Sequence, residues 1–137
     1  MINQSSGTTG KKRVRRDRRD EILQAASHLF GQHGFRGTSL AAVAAAVGLT
    51  EPGLLHYFPS KVNLLQNVLA YRDQQDASKY LELVQPGDLS VPAILEALSD
   101  LVAENQNRPA LVRLFTVLVG ESIRDDHPSH DYFVDRY

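Results

Sequence analysis

The chain has 137 residues, with 15 Lys and Arg against 16 Asp and Glu, and no cysteine. That length can bury about two-thirds of its unfolded surface in one or two closely packed units, and the absence of thiols removes disulfides, thiolate metal sites and cysteine nucleophiles together. No stretch is long and apolar enough for a membrane helix and the N-terminus lacks an apolar secretory core, so a cytosolic protein with no membrane partner is expected.

The near-neutral total hides two opposite halves. Up to Lys61 there are nine cations against four acids, net +5, and after it six against twelve, net −6. Seven of the cations fall in KKRVRRDRR, residues 11–19. The ten residues before that run, MINQSSGTTG, are polar and glycine-bearing, so residues 1–15 are expected to form a disordered basic arm. A charge run is commonly a solvated face or a tail, but cations at this density also suit phosphate neutralisation, with Arg15, Arg16 and Arg19 as the contacts.

The first helix is expected from about Arg16 to His33, with Ile22, Ala25, Ala26, Leu29 and Phe30 on one face and Gly34 as its stop. Thr38 and Ser39 then offer hydroxyls to the free amides of a helix opening at Leu40, apolar at Leu40, Val43, Ala44 and Val47. Gly48 closes it, and Thr50 caps a third helix, about Glu51 to Phe58, whose second position is Pro52. Two short helices around a three-residue glycine connection form a helix-turn-helix, in which the second helix enters the major groove. A plain helical hairpin within a bundle has the same local pattern, and the cationic segment upstream favours the DNA-reading alternative.

Ser60 caps a long helix from Lys61, apolar at Leu64, Leu65, Val68 and Leu69. Its middle, RDQQDASK, is expected to face solvent before the pattern recovers at Tyr80, Leu81, Leu83 and Val84 and ends at Pro86 and Gly87. Val91, Ile94, Leu95, Leu98, Leu101 and Val102 mark another amphipathic helix, broken by Asn105 to Arg108. Pro109 then opens ALVRLFTVLVGES, which is apolar nearly all round and so is expected to be the buried centre of a second unit. No stretch alternates with the period of a strand, and the fold class expected is all-α.

His127 and His130, near Asp125, Asp126 and Asp131, could in principle ligate a metal, but a polar loop leading into a helix at Pro128 explains them more simply. No metal and no cofactor are expected. Enzymatic readings find little footing: no glutamate is followed three residues on by histidine, and there is no nucleophile elbow, HExxH or phosphate loop. The remaining rival is a small-molecule-binding helical bundle without specific DNA binding, which would need no cationic arm.

The segment RRDEILQAASHLFGQHGFRGTSLAAVAAAVGLTEPGLLHYFPSKVNLL resembles the tetracycline-repressor (TetR) family of bacterial transcription regulators. The resemblance rests on LFGQHGFRGTS, a Val-Ala pair five residues after the threonine, glycine four beyond it, and L-x-x-F-P-S-K. It implies a DNA-binding domain over 16–61, an incomplete helical regulatory domain over 62–137, and a homodimer acting on a palindromic operator as a repressor released by a small-molecule effector. It further implies that Thr38 and Ser39 approach phosphate, that Glu51, Pro52, Gly53 and Leu55 face base edges beside Thr50, with His56 and Tyr57 flanking, and that Tyr57 and Lys61 reach the backbone. An apolar effector would be lined by Leu98, Val102, Leu114, Phe115, Leu118 and Phe133. Two departures stand out. Leu55 replaces the family's usual tyrosine, and Ala41 and Ala42 sit where polar base readers are common, so sequence preference is expected to lean on a basic arm in the minor groove, on DNA shape, and on Glu51 or His56. Family members continue for two further long helices, so the chain is expected to be either a truncated protein or a fragment of a longer one.

Overall fold

A computed structural model describes residues 7–83 and 90–136 as seven helices: α1 (Gly7–His33), α2 (Leu40–Ala46), α3 (Glu51–Leu55), α4 (Lys61–Leu83), α5 (Val91–Gln106), α6 (Pro109–Glu121) and α7 (His130–Arg136). The described residues contain no strand, as the all-α expectation requires. The close of α4 expected at Pro86 and Gly87 lies outside them.

One correction concerns the N-terminus. Helix α1 opens at Gly7, not near Arg16, so the described part of the basic arm is helical. Lysine and arginine are good helix formers, and Arg18 pairs with Glu21 at 2.8 Å across one turn. A helix is about 10–12 Å wide and the minor groove only about 6 Å. This part of the arm therefore cannot thread the minor groove as an extended strand would.

The core is continuous across residue 61. Ile22, Ala26 and Phe30 of α1, Val43 and Ala44 of α2, Leu54 of α3 and Leu64, Leu65 and Val68 of α4 cluster with Leu114 and Leu118 of α6 and Phe133 of α7. Helix α1 packs against α6 and α4. At Gly31 the two backbones come so near that a Cβ would lie 3.1 Å from the Ala110 carbonyl oxygen and 3.2 Å from the Leu114 nitrogen. A Cβ there would be tighter than most real contacts and would push the two helices apart by a few tenths of an ångström.

Two further expectations are corrected by this packing. Helix α6 is buried on one face only, through Leu114 and Leu118, while Val112 is half exposed. It leans on α1 instead of forming the centre of a separate unit. Nor is the polar middle of α4 simply solvated: the Asp73 carboxylate accepts from the Tyr132 hydroxyl at 2.8 Å and from Arg136 at 2.6 Å, and Arg72 pairs with Asp76 at 3.1 Å. The RDQQDASK run is where α4 receives α7.

Candidate nucleic-acid interface

The helix-turn-helix is set by local devices. Ser39, in extended backbone, accepts at Oγ from the Ala42 N–H at 3.1 Å and so caps α2. Gly48, at φ 68°, turns the chain in the left-handed region, and the Leu49 N–H donates to the Ala44 carbonyl at 2.8 Å. Thr50 Oγ1 then accepts from the Gly53 N–H at 3.2 Å, with Pro52 in the first turn of α3. Leu54 and Phe58 are wholly buried and pin α3 to the core. This leaves Glu51, Pro52, Leu55 and His56 exposed together, with Gly53 half-buried. A carboxylate can accept from a cytosine amino group and an apolar side chain can meet a thymine methyl. The Ser39 and Thr50 hydroxyls are exposed and, while accepting as caps, keep a hydrogen to donate to phosphate.

Several residues expected to touch DNA have other work. Thr38 is buried, and its hydroxyl donates to the Gly34 carbonyl at 2.8 Å with the Leu29 carbonyl 3.1 Å away. It ties the α1–α2 turn to the end of α1 and does not offer its side chain to phosphate. Arg19 donates from Nη1 to the Tyr57 carbonyl at 2.9 Å, and its guanidinium lies 4.5 Å from the centre of the Phe58 ring. It holds the chain that follows α3. Tyr57 is half-buried against the core. The Lys61 ammonium sits 4.4 Å from the centre of the Phe35 ring, where burial lowers its pKa against the opposing effect of Glu121. Lys11, Arg15 and Arg16 are exposed on α1 and remain the cations best placed for phosphate.

Glu121, the last residue of α6, had no motif to single it out. Its carboxylate accepts from the Phe35 N–H at 2.8 Å, and the same oxygen faces His127 Nε2 at 3.4 Å. His127 is buried, its Nδ1 accepting from the Ser129 hydroxyl at 2.7 Å and facing the Ser129 N–H at 3.2 Å. With Nδ1 accepting, the neutral ring carries its proton on Nε2, toward Glu121. Arg36 and Asp126 pair at 3.2 Å across the same junction. A carboxylate at the end of α6 thus holds the turn that leads into the helix-turn-helix.

Burial lowers the His127 pKa below its ordinary value of 6.5, outweighing the raising effect of Glu121. As pH falls, the unfolded chain therefore takes up this proton first, so the stability contribution is complete above the unfolded pKa and is lost as pH falls from there toward the folded pKa. The urea midpoint is expected to drop as pH falls below 6.5, and to drop less steeply in His127→Asn. Equal slopes in the two proteins would exclude His127 as the source.

The six residues expected to line one effector cavity are not brought together. Leu114 and Leu118 are fully buried core, and Phe115 meets Phe133 edge to face at 6.0 Å. Leu98 and Val102 are 44% and 58% exposed on α5, Val102 bordering an open hollow of about 720 Å³ with Val112 and Val117. His130 Nδ1 lies 2.8 Å from the Ser122 carbonyl, and no group of three or more His, Asp or Glu among the described residues is placed to hold a metal. None of the described helices is long and apolar enough to cross a membrane.

Residues 22–68 match the sequence model of the bacterial regulatory proteins, tetR family. Over that segment the chain is similar to tetR-family regulators. The match runs from the buried face of α1 through the recognition hairpin to Val68 of α4. Among tetR-type relatives, the chain is similar to the HTH-type transcriptional repressor KstR2 of Rhodococcus jostii, 36% identical over 91 residues, which is 66% of this chain and 42% of that protein. It is 44% identical to the HTH-type transcriptional regulator RutR of Escherichia coli over 63 residues, 45% of this chain and 30% of that protein. The nucleoid occlusion factor SlmA of Photorhabdus laumondii is 28% identical over 103 residues, 74% of this chain and 52% of that protein. The chain spans about half or less of the length of these relatives.

Proposed function

We propose that this chain is a sequence-specific DNA-binding transcriptional regulator, a repressor that leaves its operator when a small-molecule effector binds. The observation that carries the reading is the exposed face of α3, Glu51, Pro52, Leu55 and His56, standing on a buried Leu54 and tied through Arg19 to a cationic α1. The names of KstR2 and RutR support it. The regulator works in the bacterial cytoplasm, on the nucleoid, as a homodimer reading a palindrome whose half-sites lie about one helical turn, ~34–36 Å, apart. Glu121 supplies a route for the response, because an effector that displaces α6 pulls on the Phe35 amide and so on the hairpin. The effector must bind the two conformations with different affinity; tightness alone shifts nothing.

Selection of bound fragments from a random duplex pool, with oligomeric state recorded alongside, is the direct test. Enrichment of a palindrome is expected, and no binding even at low salt would sink the DNA reading. With the selected duplex, Arg15→Gln combined with Arg16→Gln is expected to reduce the slope of log affinity against log salt by about 2, near 0.9 for each phosphate no longer neutralised. An unchanged slope would remove these two arginines from the interface.

A further inference from the structure

We propose that the groove between α1, α4 and the first turn of α6 binds an amphipathic monoanion, a carboxylate on an apolar body, with Arg72 as its anchor. The hollow measures about 490 Å³, within the range of small-molecule sites. It is lined by Ser27 of α1, by Val68, Tyr71 and Arg72 of α4 and by Arg108 and Leu111 at the start of α6.

Arg72 carries the argument. Its side chain is 12% exposed, its Nη2 pairs with Asp76 at 3.1 Å, and its buried Nε has no hydrogen-bond partner among the described residues. Nε itself is closed to solvent, so an anion in the groove would meet the part of the side chain that stays exposed, where a charge-assisted hydrogen bond to the guanidinium is strong. The local charges leave room for one. Arg72 pairs with Asp76, Arg108 shares Glu104 with Lys79, and Arg136 pairs with Asp73, so four cations meet three carboxylates. One excess positive charge fits a monoanion. Helix α6 also begins here without a side-chain cap, so its positive end faces the same anion. Val68, Tyr71 and Leu111 supply apolar wall for the rest of the ligand.

The groove lies where α1 meets α6, so its occupant would influence the basic helix directly; that consequence rests on the regulator reading, whereas binding itself does not. The test is therefore made without DNA. Octanoate is titrated into the full 15N-labelled chain, and 1-octanol is used as the neutral counterpart of equal length. Octanoate is expected to shift the Ser27, Tyr71 and Leu111 amides saturably and to bind at least about tenfold more tightly than octanol. Arg72→Gln should remove that advantage and leave octanol binding unchanged, whereas Arg124→Gln, an exposed cation on the α6–α7 loop, should alter neither. Equal affinity for the two probes, shifts centred elsewhere, or no saturable shift would overturn the proposal. The comparison of probes on the unaltered chain decides it even if Arg72→Gln fails to fold.

Discussion

Leu114→Ala is expected to destabilise the whole chain by about 2–5 kcal/mol, the range for truncating a fully buried leucine whose surroundings relax only partly. Leu114 is wholly buried and shares one cluster with Phe30, Val43, Leu54 and Leu64, although it lies on α6. Because Gly31 brings the α1 and α6 backbones together at this level, the hole cannot be closed by drawing the helices nearer. Chemical unfolding followed by circular dichroism should show one transition displaced as a unit, and hydrogen exchange should report weaker protection in α1 and α4 as well as in α6. Two transitions, the one reporting on α1 to α3 being indifferent to the substitution, would show that the helix-turn-helix is stable without α6 and that the shared core carries less than its burial implies.

Phe58→Ala should cost about 3–5 kcal/mol on the same reasoning, and its consequences reach DNA binding. The ring is fully buried and lies beneath the Arg19 guanidinium, which also holds the Tyr57 carbonyl. Removing the ring takes away the seat of α3 and roughly another 0.5–1 kcal/mol of cation–π attraction. Under conditions where the variant is still folded, duplex affinity should fall more than it does in Arg19→Gln, which gives up the hydrogen bond to the carbonyl and the cation–π contact but keeps the buried anchor. The pair of variants separates the two parts of the device, with urea unfolding giving stability and fluorescence anisotropy giving affinity. A stability loss below about 1 kcal/mol, the level of a typical surface or mild substitution, would mean that α3 is not seated through Phe58.

The recognition hairpin was legible in the sequence because everything that shapes it is local. Ser39 and Thr50 each cap a helix three residues ahead, and Gly48 takes the left-handed backbone that the turn needs. What could not be read is long-range. Thr38 looks like a cap or a phosphate ligand from its position, yet its hydroxyl is claimed by a carbonyl four residues back. The RDQQDASK run looks solvated because its partners, Tyr132 and Arg136, lie 59 and 63 residues away. Glu121 meets Phe35 across 86 residues, with no local pattern to announce the pairing. The cationic segment was ambiguous for a different reason: the same lysines and arginines suit both a disordered tail and a helix, and the segment continues without a break into the half of α1 that packs on α4 and α6.

The alanines of α2 have a consequence for how such a protein changes its target. Ala41, Ala42, Ala45 and Ala46 are exposed, while the helix stands on Val43 and Ala44 and on the Ser39 cap. Exposed positions can accept longer polar side chains with little packing penalty, so new hydrogen-bonding groups can be written onto this face while the scaffold beneath stays intact. Under the proposed DNA-reading role, target preference and folding are thereby separable in this segment. Altering which sequence is read becomes a matter of substitution at a few solvent-facing positions, a route open to natural drift and to the protein engineer alike.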